Sequence, residues 1–495
     1  MSRLFACILI LFSAAAGATE RLEAVQRVLP QLDQTFSTLA DKEHIPGIVW
    51  GVVLDGKLVH VRSQGVANIE TKVPVSAQTA FRIASMSKSF AALAILRLRD
   101  EGKLQLDDPV SRYLPELSAV GAPKDAPTLT LRHLLTMTPG LPEDNPWGDR
   151  HMRMTRSELA ELVGRGLSFS STPGGPYEYS NLGYIMLGQI ICKVSGQPFQ
   201  DYIRQHIFRP LGMHSTVWEY SELPAGRFAQ GYQWLNGAWV AEPVLHDGEG
   251  AAMGGIITTL DDFARYVAFL MDAWPAREAP DNGPVKRSSV RELAEPRAFI
   301  SMNTRATLGE GQADPRVAFY GYGLNWMRNS RDVVMVGHGG GLPGYGSQYR
   351  FSPERGVAVI AFGNLRYAPV YQPVTNEAFN LVERAHLPAR VPAPAAILLQ
   401  RQQEVVSLLQ GWDESFAAKV VAMNFFLDRA RSDWAAQSAA ALARIGTIHK
   451  IGPIQPENAL RGTFIIEGER GRLEVFFTLT PEREARLQEL RLRVL

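Results

Sequence analysis

The feature that most constrains this chain is the placement of its strand-forming runs, which stand on either side of a long helical stretch. Residues 48–54 and 58–61 are β-branched and apolar, and they flank Asp55-Gly56, a dipeptide suited to a tight hairpin turn. Runs of the same character return at 333–336, 348–351 and 357–362. Between them, residues 85–270 carry mainly helical patterning cut by Pro and Gly. This order predicts an α+β fold, an α/β sandwich: one antiparallel sheet in which early and late strands meet, with a helical subdomain inserted. A functional cleft is expected between the two layers.

At 495 residues the chain is about three times the usual size of one domain, so more than one folded unit is expected. Residues 387–396 contain three prolines and several small residues, which suits a linker. Beyond it, 397–443 is helical and 460–466, 473–479 and 487–494 alternate as strands. Residues 397–495 therefore read as a small C-terminal α+β accessory domain without a cluster of reactive groups. Before the main domain (19–386) and its opening amphipathic helix (22–39), residues 1–18 have the pattern of a secretory signal peptide. Arg3 supplies the positive start, 4–12 the apolar run, and Ala16-Gly17-Ala18 the small-residue cleavage site. That run is too short for a permanent membrane span, so a secreted or periplasmic protein is expected.

Composition removes several classes. Lys plus Arg is 51 against Asp plus Glu at 50, which offers no basic footprint for a nucleic acid. An apolar share of 46% argues against disorder. Two cysteines, Cys7 and Cys192, build neither a disulfide scaffold nor a thiolate zinc cluster, and the histidines show no H-E-x-x-H spacing, so no metal or cofactor is expected. Cys192 lies in a helical run and reads as a small buried hydrophobe. Gly51 to Lys57 spaces like a phosphate-binding loop but continues with Leu58 inside a hairpin, so it fails as one.

Three short motifs could carry chemistry. In Ser85-Met86-Ser87-Lys88, at the start of an apolar helix, the serine and lysine fall on one face three residues apart. Burial and the helix N-terminus disfavour the charged lysine, as a lysine acting as base requires, and a serine beside a neutral amine is an activated nucleophile. In Tyr179-Ser180-Asn181 the phenol can shuttle a proton and the amide can orient a lysine or a substrate amide, while Tyr177 is assigned to packing. In Gly337-His338-Gly339-Gly340-Gly341, after the strand at 333–336, the glycines let a substrate carbonyl approach backbone N–H groups. His338 to Gly341 also spells the H-G-G-G of lipases, but no G-x-S-x-G nucleophile elbow occurs in the chain.

In this order, S-x-x-K, Y-S-N and H-G-G resemble the serine β-lactamase and penicillin-binding protein superfamily, nearest its class C β-lactamase, D-Ala-D-Ala carboxypeptidase and esterase branch. Flanking segments are similar too: Phe81-Arg82-Ile83-Ala84, Leu106-Asp107-Asp108-Pro109-Val110, Leu131 to Thr136, Ile207 to Met213 and Gly344-Tyr345-Gly346-Ser347. The resemblance implies that Ser85 is the acylated nucleophile, Lys88 its activator and Tyr179 a general base or relay. It implies that Asn181, His338, Gly340 and Gly341 bind substrate, with the N–H groups of Ser85 and Gly341 as oxyanion hole. Lys88 and Tyr179 form a coupled pair, so which takes the serine proton stays open.

Where class C β-lactamases carry Lys-Thr-Gly, this chain has His338-Gly339-Gly340. A neutral imidazole and a missing hydroxyl weaken a carboxylate anchor. This shifts the expectation from β-lactams towards D-Ala-type peptides, amides or carboxyl esters as the small-molecule or peptide substrate. The alternatives are a true β-lactamase, or a catalytically silent scaffold or binding protein.

Overall fold

The computed structural model describes residues 2–115, 124–308 and 311–495, with the backbone alone for 2–18. The chain divides into two compact units, Met1–Trp274 with Ala279–Ala389, and Arg390–Leu495 with the short stretch Pro275–Glu278.

The first unit is built on an eight-stranded antiparallel sheet. Its strands are β1 (Gly47–Leu54), β2 (Lys57–Gly65), β3 (Ala298–Asn303), β4 (Arg316–Tyr320), β5 (Asn325–Asn329), β6 (Val334–Leu342), β7 (Tyr345–Ser352) and β8 (Val357–Gly363). Their order is β2-β1-β8-β7-β6-β5-β4-β3. The β1–β2 turn forms because Asp55 and Gly56 both adopt positive φ, as a two-residue hairpin turn demands. The two ends of the sequence meet where β1 pairs with β8, from Ile48 opposite Gly363 to Leu54 opposite Val357. Strands β3, β4 and β5 were not anticipated; they include polar and charged positions such as Arg316, Asn325 and Arg328 that blur a period of two.

Side-chain alternation explains the layers. Ile48, Trp50, Val52 and Leu54 of β1 pack with Val25, Leu32 and Phe36 of α1 (Ser2–Lys42) and with Val374 and Leu381 of α5 (Tyr371–Arg384). Val49 and Val53 face the opposite layer, where Phe263 and Val267 of α4 (Leu260–Asp272) lie in the same core as Ile360 and Phe362 of β8. With both faces covered, β1, β7 and β8 are buried along their whole length. The helical layer also holds α2 (Lys88–Asp100) and α3 (Asn181–Ser195). Within the mainly helical middle, two short pairings interrupt the pattern: Ala80–Arg82 with Ile257–Thr259, and the hairpin Tyr232–Leu235 with Ala238–Ala241.

In the second unit, α6 (Ala396–Gln410) and α7 (Arg431–Ile445) share a core with an antiparallel sheet. Phe464, Ile466, Leu473, Val475 and Phe477 supply the alternating buried face of Arg461–Gly468 and Gly471–Leu479. Among the described residues, no helix is long and apolar enough to cross a membrane.

Candidate active site

Ser85 sits in a one-turn 3-10 helix, Ala84–Ser87, that runs straight into α2. The pairing of Ala80–Arg82 with Ile257–Thr259 fixes its approach, and the Ile256 N–H donates to Ser87 Oγ at 3.2 Å. Ala84 is held at φ 48°, a left-handed conformation that costs an alanine about 1–2 kcal/mol and persists only where surrounding packing enforces it.

The helical spacing delivers Lys88 as required. Its Nζ lies 3.0 Å from Ser85 Oγ, 2.7 Å from Asn181 Oδ1 and 2.8 Å from the carbonyl of Met253. Three acceptors satisfy a charged ammonium. The same geometry serves a neutral amine, which donates twice and offers its lone pair to the serine O–H. Burial lowers Lys88 to about 7, against the opposing pull of Asp144 and Asp149.

Asn181 opens α3, and its position is determined by caps. Ser180 Oγ accepts from the Gly183 N–H at 3.0 Å, and Asp144 accepts from the N–H groups of Asn181 (2.6 Å) and Leu182 (2.8 Å). Gly148 is glycine because a Cβ there would stand 2.7 Å from Asn181 Cβ. Tyr179 precedes this helix with its ring centroid 4.9 Å from Lys88 Nζ and its hydroxyl hydrogen-bonded to Ser85. Burial pushes Tyr179 well above the usual phenol value, so it is a neutral phenol at pH 7 and not a standing phenolate.

The glycines fall inside β6, which runs on past the stretch 333–336 expected as strand. They are needed for close approach on both faces. A Cβ on Gly340 would run into the Ile83 carbonyl and stand 2.5 Å from Ser347 Oγ, and one on Gly341 would stand 2.8 Å from Tyr367 Cδ1. Ser347 donates to the Ile83 carbonyl at 2.8 Å, tying the sheet to the nucleophile turn. The ladder between β6 and β5 stops at Gly337, whereas that with β7 continues to Leu342. One edge of His338 to Leu342 thereby faces a cleft of about 640 Å³ whose lining includes Ser85, Tyr179, His338, Gly340 and Gly341.

His338 lines that cleft without a ring nitrogen to spare. Its Nδ1 lies 2.6 Å from the Gly339 carbonyl and its Nε2 3.0 Å from the Tyr320 hydroxyl. Burial, with Lys88 and Arg350 adding to it, pushes the imidazole down to about 3, so it is neutral. Nδ1–H donates to the carbonyl, Nε2 accepts from the phenol, and nothing is left for a substrate carboxylate. Tyr177, read as packing, stands against Tyr320 and also lines the cleft.

A larger cavity of about 1260 Å³, beside Met186, Cys192 and Glu249, contains none of the candidate residues. Cys192, read as a small buried hydrophobe, is half-buried and lines this cavity, and burial raises its thiol, which disfavours the reactive thiolate. Sequence reasoning missed Asp144, Asp149, Tyr320 and Tyr367. Of these, only Asp144-Asn145-Pro146 carried a local signal, that of a helix start.

The Beta-lactamase family model matches residues 32–382, which is most of the chain and all of the cleft. The chain belongs to the Beta-lactamase family. Members of this serine β-lactamase and penicillin-binding protein group are generally serine hydrolases, and some are non-catalytic. This Beta-lactamase-family chain is 30% identical over 349 residues to Protein flp of Staphylococcus aureus (strain MW2), covering 68% of the chain and 64% of that protein. It is 35% identical over 190 residues to Penicillin-binding protein 4* of Bacillus subtilis (strain 168), covering 37% and 40% respectively. The match thus spans just under two thirds of the length of the first of these relatives. The octameric penicillin-binding protein homologue from Pyrococcus abyssi shares the fold, with a TM-score of 0.61 at 21% identity over 94% of this chain and 100% of that one.

Proposed function

We propose that this chain hydrolyses an amide or ester through a Ser85 acyl-enzyme. One observation carries the reading: a fully buried lysine, brought to about 7 by desolvation, has its nitrogen 3.0 Å from the Oγ of a serine that opens on a cleft. In the neutral state, Lys88 takes the serine proton as Oγ attacks the substrate carbonyl, while Asn181 and the Met253 carbonyl hold the amine in place. The N–H groups of Ser85 and Gly341 are assigned to the oxyanion from the family resemblance. The Tyr179 hydroxyl, bonded to Ser85, passes a proton to the leaving group and regains one from the Lys88 ammonium. Water then displaces the acyl group by the reverse proton movements.

The substrate class we favour is a D-Ala-type peptide, as for a carboxypeptidase, or a carboxyl ester, rather than a β-lactam. The support is His338, which supplies neither charge nor a free N–H where the resembled β-lactamases carry lysine; this bears most directly on the ester, since a D-Ala-type peptide ends in a carboxylate as a β-lactam does. We place the protein outside the cytoplasm on the amino-terminal pattern of Arg3, the apolar run and Ala16-Gly17-Ala18.

The deciding experiment treats wild type and Ser85→Ala with a fluorescent penicillin and a fluorophosphonate, beside a panel of p-nitrophenyl esters, nitrocefin and D-alanyl-D-alanine peptides. Labelling and turnover that depend on Ser85 support the reading. Labelling by neither probe, or labelling undiminished in Ser85→Ala, removes it.

A further inference from the structure

The second unit carries a groove that the proposed acyl transfer does not use. It has a volume of about 800 Å³, and its walls, drawn from Arg429 to Arg493 in the sequence, include Trp434, Phe476 and the arginines Arg429, Arg461, Arg491 and Arg493. Three of these cations are already balanced: Arg461 by Glu457 at 2.6 Å, Arg491 by Glu489 at 2.8 Å and Arg493 by Glu474 at 2.8 Å. Arg429 differs. Among the described residues it forms no ion pair, and its guanidinium donates to a neutral amide, Gln437 Oε1, at 2.5 Å. A cation on a groove wall without a counter-charge biases that wall towards an anion.

Trp434, on α7, supplies an independent observation. It is 8% exposed, and its indole Nε1 is buried without a hydrogen-bond partner. The other buried tryptophans all donate: Trp50 to Asp33 at 2.8 Å, Trp218 to the Gln200 carbonyl at 3.2 Å, and Trp412, in the same core as Trp434, to Ser438 Oγ at 3.0 Å. An unspent buried donor keeps its full desolvation cost, which an acceptor arriving from outside relieves. The Arg429 guanidinium stands 4.6 Å from the centroid of that same ring. A charge without a counter-ion and an N–H without an acceptor thus belong to one stacked pair, and both call for an oxyanion. The half-buried Phe476 and the buried Leu490 add apolar surface to the same groove.

We infer that this groove is a second ligand site, which takes a small organic acid. Its carboxylate or phosphate accepts from Arg429 and from the Trp434 N–H, and its apolar body lies against Phe476. The site is built wholly from the C-terminal unit and needs nothing from Ser85, so it neither rests on the acyl-enzyme reading nor falls with it. It gives the accessory domain a task of its own, the recognition of an acidic molecule by one free charge and one fixed donor.

The test measures dissociation constants of benzoate, phenyl phosphate and the neutral benzamide by calorimetry on the full chain carrying Ser85→Ala. At least one acid is expected to bind about tenfold more tightly than benzamide, a difference of the size a charge-assisted contact produces, and which acid does so tells carboxylate from phosphate. Adding Arg429→Gln is expected to bring acid and amide within about twofold, and adding Arg429→Lys to restore part of the preference. Trp434→Phe keeps an aromatic ring but removes the N–H, and should weaken acid binding by about threefold or more. Arg429 is only half-buried, so the result of Arg429→Gln stands even where Trp434→Phe folds poorly. Absence of an acid preference, or a preference that survives Arg429→Gln, overturns the site. Unchanged acid affinity in a folded Trp434→Phe protein overturns it as well, because the indole donor then takes no part.

Discussion

Removing the charge of Asp149 should move the pH profile of Ser85 acylation in a direction that only one assignment of the base allows. With Lys88 at about 7 as the acceptor, roughly 1% of the amine is neutral at pH 5, so acylation there should run about 100-fold below its plateau. Asp149 complicates the assignment, because its own carboxyl is raised by burial to about 6 and would put an acidic limb in nearly the same place. Asp149→Asn separates the two. The Tyr367 hydroxyl that donates to Asp149 Oδ2 at 3.0 Å finds an acceptor in the amide, so packing is preserved. The negative charge that favours the Lys88 ammonium is lost. Lys88 must then release its proton more readily, and the limb should shift to lower pH without disappearing. The assay is the second-order rate of Ser85 labelling by a neutral fluorophosphonate between about pH 5 and 9, where a neutral reagent contributes no titration of its own. Tyr179, held neutral by burial, should add no limb in this range. A limb that vanishes in Asp149→Asn belongs to Asp149, and one that moves upward contradicts the electrostatics. Either result refutes Lys88 as the base.

Other outcomes follow from the same geometry. The lowering of Lys88 from 10.5 to about 7 corresponds to about 5 kcal/mol of lost stability, present in full below pH 7 and relieved as the unfolded chain loses its proton towards pH 10.5. Denaturant unfolding should therefore show wild type gaining on Lys88→Met as pH rises through that window, and a constant difference would contradict the burial of an ionisable amine. Tyr179→Phe should lower turnover by about 10²-fold with little change in substrate binding; unaltered turnover would leave Lys88 to handle every proton alone. Gly340→Ala should cost about 1–3 kcal/mol by overpacking against the Ile83 carbonyl and Ser347, and should abolish labelling. Near-normal labelling of that variant would show that β6 does not press on the nucleophile turn.

The chain's own pattern was enough to predict one sheet closed between distant strands. Asp55-Gly56 carries its turn geometry locally, and the apolar runs of β1 and β8 can be buried only by covering both faces. The closeness of Ser85 and Lys88 was equally legible, since a helix brings residues three apart together wherever it lies. Strands β3 to β5 were not, because polar and charged residues such as Arg316, Asn325 and Arg328 interrupt the apolar pattern that marks a strand.

Chemistry that depends on what surrounds a residue was legible only in outline. That His338 would be mostly neutral follows from its side chain. That both its nitrogens are already spent follows from Tyr320 and the Gly339 carbonyl, one of which arrives from another strand. That Lys88 lies near 7, with Asp144 and Asp149 restraining the shift, is a property of a desolvated space enclosed by segments far apart in the chain. Local sequence determines propensity, spacing and turn type, because those act within a few residues. Desolvation and charge act through space, so the proton balance of the site was decided by tertiary structure alone.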